Sequence, residues 1–174
     1  MNVIFLKKYI VALLLSVVSL SSMAESSITS CDGSYIANFG KNGIVKLRRN
    51  GVKTNNFIVD HDISGGGFSP GSLFLALYRL PKNIDEKSPQ ANIISVYSVD
   101  PLVLLVKKNY GSGVYGAEFS VDNKFVVVTS RFGVDVIDLK KMESHFFDPA
   151  YTPDFALQQC GSNQFNDAIS RSQR

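Results

Sequence analysis

Histidine and cysteine are both scarce in this 174-residue chain, at two copies each. The only histidines are His61 and His145, and a metal corner at Asp60-His61-Asp62 would still need two more oriented ligands, so no metal is expected. Charge of one sign is nowhere concentrated. The formal net charge is +3, with basic and acidic residues interspersed. The clustered cations that neutralise phosphates are missing, and nucleic acid is excluded as a partner. Beyond the first two dozen residues, no stretch sustains apolar residues at helical spacing, which excludes a helical domain. The one long apolar run, residues 10–20, is well short of the roughly 20 residues of a membrane-spanning helix.

What opens the chain reads as an address. Lys7 and Lys8 form a positive n-region ahead of that run. Ser22-Met23-Ala24 then places small residues three and one positions before a cut, so cleavage after Ala24 is expected. A rival lipidation box at Ile28-Thr29-Ser30-Cys31 lies too far from the apolar run, behind Glu25, and lipidating Cys31 strands Cys160. The expected layout is a signal peptide over residues 1–24, a domain over residues 25–160 and a polar tail over residues 161–174. The destination is the periplasm, with no membrane contact after cleavage. Lys7 and Lys8 leave with the signal, so the domain is nearly neutral. About 150 residues are ample for one core and too few for two comfortable domains.

Both cysteines lie in the exported part, near its two ends, where oxidation is permitted. A bond between Cys31 and Cys160 closes almost the whole domain into one loop, which in the chain-entropy view contributes about 4 to 5 kcal/mol.

Two segments repeat. Phe68-Ser69-Pro70-Gly71-Ser72-Leu73-Phe74-Leu75-Ala76-Leu77 aligns with Phe119-Ser120-Val121-Asp122-Asn123-Lys124-Phe125-Val126-Val127-Val128: an aromatic and a serine, a tight turn, then an apolar strand. Downstream, residues 93–100 match residues 133–140 as alternating strands, each leading into another at residues 102–108 and 142–147. This is the strand grammar of a β-propeller blade. Residues 35–59 supply three more strands, with turns at residues 40–43 and at Asn50-Gly51. An all-β, propeller-like domain of about three antiparallel blades follows. The first blade shows no inner strand of its own, and residues 152–159 are expected to provide it, with the disulfide clasping the closure. The tail beyond Cys160 reads as a short helix or an unstructured end. Residues 80–92, with Pro81, Pro89 and four charges, read as an exposed loop.

Catalytic signatures dissolve on inspection. Gly67-Phe68-Ser69-Pro70-Gly71 fits the Gly-x-Ser-x-Gly pattern, but Pro70 has no N–H to offer an oxyanion and a strand follows where a helix is needed. Asp60-His61-Asp62 suggests a metal corner, yet an extended segment turns the aspartates away from the histidine, so a solvated strand end is expected. His145 is expected on the surface, and Glu118 and Asp122 carry no acid–base signature. A non-enzymatic binding protein without cofactor remains.

Propeller topology gathers the loops entering each blade, and those between its second and third strands, at one end. Here these are residues 60–67, 80–92, 110–114, 131–132 and 148–151. The stretch Asn109-Tyr110-Gly111-Ser112-Gly113-Val114-Tyr115-Gly116 stands out. Its glycines let backbone approach a partner closely, and its tyrosines can anchor it. Arg131 and Phe132 add a cation and an aromatic to the same end, the mixture found in protein interfaces.

A short export signal, one compact propeller-like domain and a Gly-Ser-Gly loop together resemble the periplasmic immunity proteins of type VI secretion peptidoglycan amidase effectors. The resemblance implies a protein inhibitor whose serine-bearing loop enters the amidase cleft and contacts its catalytic cysteine and histidine. Ser112, flanked by Gly111 and Gly113, holds the matching position. The implied contact set is Tyr110, Gly111, Ser112, Gly113, Val114, Arg131 and Phe132, and the implied partner is a cognate Cys/His amidase. The competing expectation is a non-catalytic periplasmic scaffold or ligand-binding module of an envelope complex.

Overall fold

A computed structural model describes residues 26–40, 43–79, 92–111, 113–158 and 165–166. The expected signal segment, residues 80–91, Ser112 and Cys160 lie outside the described residues. Among the described residues, thirteen strands run in chain order: β1 (Ser26–Thr29), β2 (Tyr35–Phe39), β3 (Ile44–Arg49), β4 (Val52–Ile58), β5 (Gly65–Phe68), β6 (Phe74–Arg79), β7 (Asn92–Ser98), β8 (Val103–Tyr110), β9 (Val114–Phe119), β10 (Phe125–Ser130), β11 (Gly133–Asp138), β12 (Glu143–Phe147) and β13 (Phe165–Asn166). They form three antiparallel blades. β5 to β8 and β9 to β12 make two four-stranded sheets, and β1 to β4 make a third with β13 added beside β1. The expected all-β, propeller-like architecture is the one observed.

Burial along the strands follows from how many neighbours each blade has. β2 alternates, with Tyr35, Ala37 and Phe39 inward, because the first blade packs on one face only. The middle strands of the other two blades are continuously apolar, as in Leu75-Ala76-Leu77 and Val126-Val127-Val128, because both their faces are covered. Leu75 and Leu77 join Tyr35, Ala37 and Phe39 in the core between the first and second blades. Ala76, Ile94 and Val96 join Val126, Val128 and Ile137 between the second and third. The third blade's far face, with Val127, Val134 and Val136, is covered by Tyr151, Phe155 and Leu157. Among the described residues, no core cluster joins the third blade to the first.

Two expectations about closure are corrected here. The first blade does have its own inner strand, β1, whose only apolar residue is Ile28. Residues 152–158 do not fill that place; they lie along the third blade. Val121 N–H donates to the Ala156 carbonyl and Gln158 N–H donates to the Phe119 carbonyl, each at 2.9 Å or less. Two residues of the polar tail are strand as well, since β13 pairs with β1 in the register Ser27–Asn166 and Ile28–Phe165.

The inner strands converge, which explains their small side chains. A Cβ at Gly66 would run into the Ala76 carbonyl oxygen and stand 2.8 Å from Ile28 Cδ1. Only glycine fits that approach.

One turn occurs three times, between the inner and second strand of every blade. Ser30, Ser69 and Ser120 each donate their N–H to the carbonyl five residues on, of Tyr35, Phe74 and Phe125, at 2.9 Å. Each hydroxyl in return accepts the N–H of that same residue at 2.9 to 3.0 Å. The fourth residue of each turn, Gly33, Ser72 or Asn123, is left-handed with φ of 71°, 59° or 61°. In the first and third turns the serine hydroxyl also donates to an aspartate, Asp32 or Asp122, at 2.6 and 2.7 Å. Hydrogen bonds from Ser30 and Ser34 hold the Asp32 carboxyl down at about 2, and bonds from Lys124 and Ser120 do the same for Asp122. The Gly-x-Ser-x-Gly stretch is therefore the second of three blade turns.

Candidate functional site

With strands alternating in direction, the serine turns lie at one end of the molecule. The opposite end carries the inter-blade connections after β4 and β8 and the β10–β11 turn. There the structure brings two of the expected contact segments together. Arg131 N–H donates to the Gly113 carbonyl at 3.1 Å, tying the turn of the third blade to the connection leaving the second. Gly111 is exposed, Gly113 is half-buried and Val114 is buried at the start of β9. Arg131 is exposed beside Phe132, its guanidinium carbon 5.8 Å from the ring centroid, and Phe132 is 62% exposed. Tyr115, at the edge of the same loop, is 66% exposed.

The fold itself does not demand glycine at these two positions. Among the described residues, a Cβ on Gly111 would meet nothing within 4 Å, and one on Gly113 would sit 3.7 Å from the Tyr115 ring and 3.9 Å from the Asn92 amide. Neither adopts a left-handed conformation.

Tyr110 is corrected from exposed anchor to core residue. It is the last residue of β8, only 6% exposed, and its hydroxyl donates to Asp135 Oδ2 at 2.6 Å. Burial first, and then that carboxylate, push its phenol far above the ordinary tyrosine range. Asp135, on β11 and fully buried, also pairs through Oδ2 with Lys108 Nζ at 2.6 Å. The same ammonium donates to Ser144 on β12 and lies 5.7 Å from the Tyr110 ring centroid. Sequence reasoning missed this group. Its signal was the placement of Lys108 and Tyr110 on one face of β8, two residues apart.

His61 is corrected too. Far from being a solvated strand end, it is fully buried. Its Nδ1 lies 2.7 Å from the Asp62 carbonyl, which only accepts, so Nδ1 carries the proton. Its Nε2, 3.0 Å from Ser95 Oγ, then accepts from that hydroxyl. Desolvation is the largest influence on the ring and holds its pKa below 6.5. Asp60 outside it pairs with Lys107. His145 is exposed on β12. Among the described residues, no three His, Cys, Asp or Glu side chains are grouped to hold a metal ion.

At the serine-turn end, the Gln158 side-chain amide donates to Cys31 Sγ. Among the described residues there is no free cysteine.

No family model matches the chain, and no characterised protein matches its sequence. Among solved structures, it is similar to the crystal structure of HIRA(644-1017), with 11% identity and a TM-score of 0.48. The alignment covers 69% of this chain but only 38% of that one.

Proposed function

We propose that the protein is a periplasmic immunity protein, a non-catalytic inhibitor that occludes the cleft of a peptidoglycan amidase toxin delivered by type VI secretion. The observation that carries this reading is the backbone bond from Arg131 to Gly113. It sets the glycine-bearing connection beside an exposed cation and two exposed aromatics, Phe132 and Tyr115, at one end of a packed scaffold. A connection with little side-chain bulk beside anchoring side chains suits an enzyme cleft with a surrounding rim. In this reading Ser112 supplies the hydroxyl that meets the catalytic cysteine and histidine. Tyr115, in place of Tyr110, is the exposed tyrosine of the rim. The signal peptide is removed after Ala24, so exported protein begins at Glu25 by intact mass.

Titration of residual activity of a Cys/His peptidoglycan amidase tests the proposal. Gly111→Trp is the sharpest variant, because Gly111 is exposed and a Cβ there meets none of the described residues within 4 Å. Wild type should inhibit stoichiometrically, and Gly111→Trp should need about a hundredfold more protein, a loss of hot-spot size. A folded Gly111→Trp protein that inhibits as wild type does would remove the loop from the interface. Wild type that leaves such amidases fully active would favour the envelope-scaffold reading.

A further inference from the structure

The candidate loop leads from the second blade into the third, and both its braces come from the third. At its start, Tyr110 belongs to the second blade but is held by Asp135 of the third, through a buried 2.6 Å hydrogen bond. Near its end, the Gly113 carbonyl is held by the Arg131 amide of the third blade. Asp135 and Arg131 flank the start of one strand, β11. Lys108 adds an ion pair to the same Asp135 oxygen, while Oδ1 of that carboxylate is buried without a hydrogen-bond partner among the described residues. A buried carboxylate is tolerated only with such partners. Apolar packing between these two blades is already supplied by Ile94, Val96, Val126, Val128 and Ile137. The polar group is thus placed where the loop departs, not where the core needs area.

We infer that Asp135 is a positioning residue for the loop: by accepting from Tyr110 it pre-orders Gly111 and Gly113 for partner binding. Pre-ordering lowers the conformational entropy lost on association, so the same contacts bind more tightly. The inference rests on the reading of this loop as the contact element, but its test needs no amidase.

The protein alone suffices, with backbone relaxation and amide exchange measured on wild type, Tyr110→Phe, Asp135→Asn and Asp135→Leu. In Tyr110→Phe the ring still packs but its hydroxyl is gone. The Arg131 amide, which reports the bond to Gly113, should then exchange about tenfold faster or more. Order parameters at Gly111 and Gly113 should fall toward the flexible range below about 0.6. Asp135→Asn keeps an oxygen for Tyr110 and should leave the loop ordered despite losing the ion pair with Lys108. Asp135→Leu should not. If Tyr110→Phe speeds exchange equally at Val126 and Val128, the bond merely stabilises the fold and the inference is overturned. Unchanged Gly111 and Gly113 dynamics overturn it as well. A loop that loosens as expected, in a protein that inhibits no amidase, sinks the proposed function and leaves the positioning role standing.

Discussion

The ring of Phe155 lies stacked on that of Phe125, with centroids 4.7 Å apart and planes 21° from parallel. Through this pair the segment after the last blade covers a face that a further blade would cover in a fuller ring. Phe155→Ala removes the stack and re-exposes Val127, so stability should fall by about 2 kcal/mol. The urea midpoint measures it. A drop of a few tenths or less would mean that the segment rests on the blade without holding it.

The three serine turns are the same device with different numbers of bonds. Ser120 Oγ accepts from both Lys124 and Phe125, whereas Ser69 Oγ accepts from Phe74 alone. Ser120→Ala should cost about 2 kcal/mol and Ser69→Ala about 1. Denaturant titration of the two variants gives the ranking. Equal losses would assign the effect to the buried turn itself and not to its hydroxyl.

Burial of neutral His61 makes stability depend on pH. Its folded pKa lies below the unfolded value of 6.5, so under that pH the unfolded chain binds more protons. The contribution is complete above 6.5 and is lost as pH falls through the folded value. Among the described residues, Asp60, Lys107 and Asp62 are the charged groups that act on it. Asp60 titrates below its ordinary range, held there mainly by the hydrogen bond from Lys107, so it stays out of this window. Unfolding midpoints measured from pH 7.5 down to 5 should therefore decline for wild type and stay level for His61→Phe. A flat wild-type profile contradicts the burial argument.

Cys31 stands beside Gln158, two residues short of Cys160, which is the expected place for a clasp. Peptide mapping of exported protein without reductant should recover the two cysteines as one linked pair. Cys31→Ser should then lower stability by about 4 kcal/mol. Free alkylation of both thiols would end the clasp proposal.

The second and third blades are legible in the sequence because their second strands are covered on both faces and carry continuous apolar runs, Leu75-Ala76-Leu77 and Val126-Val127-Val128. The first blade's inner strand is not, since Ser-Ser-Ile-Thr at β1 shows neither an apolar run nor a full alternation. Crowding around the inner strands keeps their side chains small and their signal weak. Yet the spacing from Ser30 to Tyr35 equals that from Ser69 to Phe74 and from Ser120 to Phe125, and it marks β1 once the turn is understood. At the candidate site, the glycine-rich context of Tyr110 suggested exposure. Its partner, Asp135, lies one blade away, and the one local hint is that Lys108 and Tyr110 share a face of β8. His61 is hidden in a similar way: the hydroxyl that donates to it, Ser95, lies 34 residues further along the chain, on β7.

The pairing of β1 with β13 has a consequence for the order of events in synthesis. The first strand described here is flanked on one side by β2, its neighbour in sequence, and on the other by residues from beyond the third blade. The first sheet therefore cannot be finished until residues past Phe165 have been made and released. Until then it presents an open inner edge, the kind of template on which other chains pair. Contacts of such long sequence separation also form late and slowly.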